Sequence, residues 1–149
     1  MNTPKNRLRL MAFSDWRVQN LDDVISFLKT LEDLPDIIVY SGDDVGRFWD
    51  GETNHFTKIA EYSKTKKVLA VIGNDDSAET KSILVGEHIH DLHETPFLYN
   101  DYCFIGLEGS TSKPGIIVYS EKYVSEHLQN QLRNNVQKKK IIISHPPPY

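Results

Sequence analysis

VLAVIGNDD, residues 68–76, carries five apolar residues in a row and then turns at a glycine onto an amide and two carboxylates. DIIVYSGDD, residues 36–44, has the same form. Unbroken apolar runs of this length, closed by a glycine, read as strands buried on both faces that open onto a polar edge. LRLMAFSD (8–15) and KKKIIISH (138–145) are two further strands, ending on SD and SH. Helical spacing fills the intervals. In LDDVISFLKTLEDL (21–34), Val24, Phe27, Leu28 and Leu31 share one face, with Asn20 as cap and Pro35 as stop. Residues 54–64 form a second helix, with Phe56, Ile59, Ala60 and Tyr62 turned inward. Residues 77–86 form a third, capped by Ser77 and ended by Gly86. Residues 88–109 lack a helical period and read as short strands with a turn at Tyr99, Asn100 and Asp101. A helix capped by Ser120 follows over 119–136, with Tyr123, Val124, His127, Leu128 and Leu132 near its apolar face.

Strands alternating with helices predict an α/β fold with a largely parallel sheet. Asp15, Asp43 and Asn74 close successive strands about thirty residues apart, the length of one βαβ unit. Sheets of this kind bind ligands beyond the carboxyl ends of their strands. Asp15, Asp43, Asn74 and His145 are therefore expected at one rim. Their oxygen and imidazole donors suit divalent cations such as Mn, Fe or Zn. A cation also offsets the cost of gathering carboxylates.

The 149 residues predict one domain over 8–149 behind a loose tail at 1–7. Hydrophobic residues are 39% and charged residues 26%, as in soluble globular chains. The net charge of -4 gives no indication of a nucleic-acid surface. Cys103 is the single cysteine, read as a small buried hydrophobe, which fits a reducing compartment. No apolar run suits a signal peptide or a membrane span, so a cytoplasmic protein without a membrane partner is expected.

The ordered set FSDWR, SGDD, GNDD and SHPPPY resembles the calcineurin-like metallophosphoesterases. That family carries D-x-H, GD, GNH with an acidic residue, a histidine after a strand, and then G-H-x-H. The stretch GNDDSAETKSIL with HIHDLHETPFLYNDYCFIGLEGS is similar to a small prokaryotic branch that lacks the histidine of GNH. The resemblance implies an αββα sandwich of two facing sheets covered by helices. It implies up to two metal ions, with Asp15 on the first, Asn74 and His145 on the second, Asp43 bridging, and Asp76 orienting its neighbours. Such a pair activates a hydroxide and clamps a phosphoryl group for in-line attack on a phosphomonoester or phosphodiester.

Three positions depart from the family pattern. Arg17 stands in place of a metal-binding histidine; a guanidinium cannot ligate but can grip a substrate phosphate. Asp75 stands where the family places the histidine that assists the leaving group; a carboxyl serves there only with a raised pKa. No G-H-x-H follows before Tyr149. The resemblance thus predicts a sandwich incomplete at its C-terminus, finished by further sequence, a partner or self-association. The alternative function is a catalytically impaired binding module on the same scaffold, acting through protein partners.

His88, His90 and His93 read as surface or packing histidines, with His90 able to approach the rim through a loop. Lys138 to Lys140 read as a solvated connection. Phe48 reads as loop packing, while Trp16 and Trp49 are left between packing and a wall for a flat substrate group.

Overall fold

The computed structural model describes residues 7–16, 21–63, 65, 67–112, 114–136 and 138–145. Arg17, the Asn20 cap, residues 1–6 of the tail and Pro146 to Pro148 lie outside the described residues. The fold is mixed α/β, as the alternation predicts. Strands β1 (Leu10–Phe13), β2 (Ile37–Tyr40), β3 (Val68–Ala70) and β4 (Ile89–Asp91) form one parallel sheet in sequential order. Strands β5 (Phe97–Tyr99), β6 (Tyr102–Leu107) and β7 (Lys139–Ser144) form a second sheet, antiparallel between β5 and β6 and parallel between β6 and β7. Helix α1 (Leu21–Lys29) joins β1 to β2, α2 (His55–Ser63) joins β2 to β3, and α3 (Glu121–Arg133) precedes β7.

Sequential order combined with right-handed crossovers puts every crossover on one face of the parallel sheet. The other face is left to the second sheet. The buried side chains divide accordingly. Ile38, Tyr40, Val68, Ala70 and Ile72 pack with Val24, Leu28, Phe56 and Ile59 of the helices. Ile37, Val39, Leu69 and Val71 pack with Leu92 and Phe104 between the sheets. This is the period-two alternation of strands covered on both sides, and it explains why the sequence shows no apolar–polar pattern there. At Gly106 the sheets approach so closely that an added Cβ meets Leu92 Cβ at 2.5 Å and Val71 Cγ1 at 2.7 Å. Helix α3 packs on β6. Its Gln131 is buried, accepting from Gly106 N (3.2 Å) and donating to His93 O (2.8 Å).

Several expectations need correction. Helix α1 stops at Lys29, short of Pro35. The Thr30 and Leu31 amides bond three residues back and the Thr30 hydroxyl takes the Phe27 carbonyl (2.7 Å), which tightens and ends the last turn. Phe27 is 51% exposed and lines an apolar groove of about 590 Å³ between β1 and α1. Tyr62 is also exposed, unlike its helix partners Phe56, Ile59 and Ala60. The third helix is a 3₁₀ segment, Ala78–Leu84, and Ser77 gives it no side-chain cap. Thr80 and Ser82 hydroxyls bond carbonyls three residues back, which favours the tighter winding. The glycine-rich loop after SGDD contains a 3₁₀ turn, Val45–Phe48, whose Phe48 stacks on Phe56 at 3.9 Å and 6°. Lys139 and Lys140 belong to β7 rather than to a connection. The turn at Asn100 is present, with φ of 52°, and Cys103 is buried. Among the described residues no helix is long and apolar enough to cross a membrane.

Candidate functional site

The parallel strands β1, β2 and β3 end on Ser14–Asp15, Gly42–Asp43 and Gly73–Asn74, and β7 ends beside them on His145. Backbone bonds lock the ends of β1 and β2 together, with Asp15 N donating to Gly42 O (3.1 Å) and Ser41 N to Phe13 O (3.0 Å), while His145 N donates to Leu107 O of β6 (3.4 Å). The glycines permit the approach. Gly42 has φ of 96°, and a Cβ on it would meet Gly73 N at 2.6 Å and His145 Nδ1 at 2.9 Å. A Cβ on Gly73 would lie 1.9 Å from Asp43 Oδ1. Asp15, Asp43 and Asp44 all have positive φ (52°, 62° and 57°). Asp tolerates this region better than most residues, yet each instance costs about 1 kcal/mol or more. Three at one rim mark a place where geometry outranks local preference.

Asp43, Asn74 and His145 meet. His145 Nδ1 lies 2.8 Å from the Ser41 carbonyl, which can only accept, so Nδ1 carries the hydrogen. Nε2 lies 2.9 Å from Asn74 Oδ1 and 3.5 Å from Asp43 Oδ2. The Asn74 amide is held in this orientation because Nδ2 donates to Asp75 Oδ1 (2.6 Å) and to Pro114 O (3.4 Å). One nitrogen lone pair and two oxygens therefore face a common point. The arrangement is repulsive until a positive charge enters it, either a proton on Nε2 or a metal ion. The donor set fits a divalent cation of the Mn, Fe or Zn type.

The remaining residues divide by distance from that point. Asp15 stands at the same rim, and its carboxylate accepts from the Ser14 hydroxyl (2.6 Å). Among the described residues no three His, Cys, Asp or Glu side chains close into a metal-holding group; the third donor here is the Asn74 amide. Asp75 is exposed; its amide donates to Asp43 Oδ1 (3.1 Å) and its carboxylate receives Asn74. Asp76 is buried and clamps two loops, accepting from Val45 N (2.9 Å) and Gly73 N (2.8 Å). Burial pushes its pKa up, with the Asp43 charge adding, against those two hydrogen bonds. Tyr40 donates to the Asp43 carbonyl, and burial keeps its phenol protonated, with Asp76, Asp44 and Asp15 reinforcing this.

An open cleft of about 310 Å³ fronts these groups, lined by Asp43, Asp44, Arg47, Asp75 and Asp76. Arg47, half exposed and paired with Asp44 at 3.0 Å, is its cation among the described residues. Sequence reasoning missed it, although it follows Asp43 by four residues on the same turn. Trp16 packs edge-on to Phe13 at 5.3 Å, and neither Trp16 nor Trp49 lines this cleft.

His90 stays away from the rim, with Nε2 on the Thr95 carbonyl at 2.8 Å. His93 is no surface residue. It is 5% exposed, stacked on His127 (4.1 Å) and Tyr119 (5.6 Å), and it accepts from Glu108 N at 3.3 Å. Glu108 is buried and accepts from Tyr119 (2.6 Å). The sign in the sequence was GLEGS, a strand closing on an acid and a glycine like SGDD and GNDD.

The chain matches no family model, no curated protein and no solved structure.

Proposed function

We propose that the rim formed by Asp43, Asn74 and His145 holds a divalent cation and hydrolyses a phosphoric ester. The observation that supports this reading is the convergence of an imidazole nitrogen, an amide oxygen and a carboxylate oxygen on one point at the rim. Asp43, Asn74 and His145 would hold the ion, with Asp15 nearby on the neighbouring strand. A cation bound there supplies positive charge to a phosphoryl oxygen and lowers the pKa of a water.

The chain's own groups have definable tasks. The Ser41 carbonyl accepts from Nδ1 and so turns His145 with Nε2 toward Asn74 and Asp43. Asp75 and Pro114 hold Asn74 with its oxygen forward. Asp76 and the two glycines keep Asp43 within reach. Arg47 offers a guanidinium to an anionic group entering the acidic cleft, where four carboxylates otherwise repel it.

Calorimetric titration of the protein with Mn²⁺, followed by hydrolysis of p-nitrophenyl phosphate and bis-p-nitrophenyl phosphate, tests the reading. Saturable binding, turnover of one ester, loss of both in Asp43→Asn and His145→Ala, and loss of turnover with EDTA are expected. A folded protein that binds no Mn²⁺, Fe²⁺ or Zn²⁺ at millimolar concentration overturns it.

A further inference from the structure

We infer that Glu108 and Tyr119, outside the rim, are positioning residues that aim the Asn74 side chain at His145; this rests on the metal-site reading above. Residues 108–112 leave the end of β6, and residues 114–119 pass the rim and lead into α3. The two ends of this segment are fastened to each other. The Tyr119 hydroxyl donates to Glu108 Oε1 at 2.6 Å, and Tyr119 N donates to Ser110 O at 2.8 Å. Glu108 is itself fixed and only 2% exposed. Its amide donates to His93 Nδ1, its Oε1 lies 3.6 Å from His93 Nε2, and its Oε2 lies 3.0 Å from Lys81 Nζ without a well-aligned hydrogen bond. Burial works against the Lys81 ammonium, but the hydrogen bond to Glu94 and the adjacent Glu108 carboxylate outweigh it and keep it charged.

Between these fastened ends the segment grips Asn74 on three sides. Ile116 N and Ile117 N both donate to the Asn74 carbonyl, at 2.6 and 3.1 Å. Gly115 packs so closely that an added Cβ would meet Asn74 Cβ and Nδ2 at 3.0 Å. Pro114 O accepts from Asn74 Nδ2 at 3.4 Å. Gly109 N, donating to Ile72 O at 3.0 Å, ties the segment to the strand that carries Asn74. The amide orientation that turns Asn74 Oδ1 toward His145 is thus set partly by this segment. The segment in turn is closed by the Glu108–Tyr119 side-chain bond together with the backbone bonds that Ser110 makes to Ile117 and Tyr119. Groups that orient metal ligands from behind commonly matter about as much as this test can read, 10–100-fold in affinity.

Tyr119→Phe removes one oxygen and keeps the ring stack. Its hydrogen exchange and Mn²⁺ affinity are compared with wild type, with Asn74→Ala and with the double variant. Thr65→Val, which removes a buried hydroxyl from the opposite end of the sheet, serves as the destabilised control. In Tyr119→Phe the Ile116 and Ile117 amides should exchange about tenfold faster or more, with β2 and β3 amides unchanged. Mn²⁺ binding should weaken about tenfold, with no further loss when Asn74→Ala is already present. Thr65→Val should bind Mn²⁺ as wild type does. Unchanged exchange at Ile116 and Ile117, or faster exchange with unchanged Mn²⁺ affinity, overturns the positioning role and leaves the metal site standing. A wild-type protein that binds no Mn²⁺ overturns the metal reading itself, and the positioning role with it.

Discussion

At Gly73 a single methyl group decides whether the rim exists. The Asp43 carboxylate and amide occupy the space a side chain would need, 1.9 and 2.4 Å from an added Cβ. Neither is the flexible end of a long chain, since Asp43 sits at positive φ and its carboxylate is held by the Asp75 amide. Gly73→Ala should therefore destabilise the fold by about 1–3 kcal/mol, the range for forcing extra volume into a packed region. It should also displace Asp43. Urea denaturation reads the first effect and Mn²⁺ titration the second. Gly73→Ala with wild-type stability would mean that the close approach at this rim is wrong. Glycine here is a matter of space, whereas Gly42 combines crowding with φ of 96°.

Among the elements, α3 depends most on its ends. Its residues are largely polar, and Gln131 is its one buried position. A helix that buries so little draws relatively more of its stability from capping. Ser120 accepts from Tyr123 N at 3.2 Å, as the sequence suggested. Ser120→Ala should cost about 1 kcal/mol, measured as a shift in denaturation midpoint. It should also loosen Tyr123 and His127, which stack in sequence with Tyr119 and His93. The 3₁₀ segment Ala78–Leu84 is the opposite case: Ser77 occupies the cap position and makes no cap bond. Both segments begin after a serine with an acidic residue in the first turn, and only Ser120 makes the cap bond.

For the whole molecule, the buried His93 links stability to pH. Burial pushes its pKa down to about 4 from an ordinary 6.5; the Glu108 charge opposes this and His127 adds to it. The unfolded chain therefore binds a proton at this position before the folded one does. Between about 6.5 and 4 the unfolded state gains protons, so stability falls as the solution is acidified through that window. Above pH 7 the contribution is fully present. The groups facing His93 are Glu108, Lys81, Glu94, Tyr119, Tyr123 and His127. Denaturation midpoints measured from pH 7.5 to 4 should decline, and His93→Asn, which cannot titrate there, should decline less. Equal slopes in the two proteins would show that His93 does not carry the dependence.

The sequence by itself determined the alternation of strands and helices, because burial on both faces leaves long apolar runs and crossover helices leave a 3.6-residue period. It also determined that Asp15, Asp43, Asn74 and His145 close strands, since glycine and acidic residues end such runs for local reasons. Tertiary structure alone decided which of them meet. Asp43, Asn74 and His145 converge because Gly42 and Gly73 let two strand ends touch and β7 arrives from the other sheet, while the Asp15 carboxylate turns to Ser14. It alone decided that His93 is buried and that Glu108 reaches Tyr119, contacts between segments 15 and 11 residues apart. Local sequence records which conformation each residue prefers. Which side chains share a point in space depends on how two sheets pack, and that follows from the sum of all their contacts.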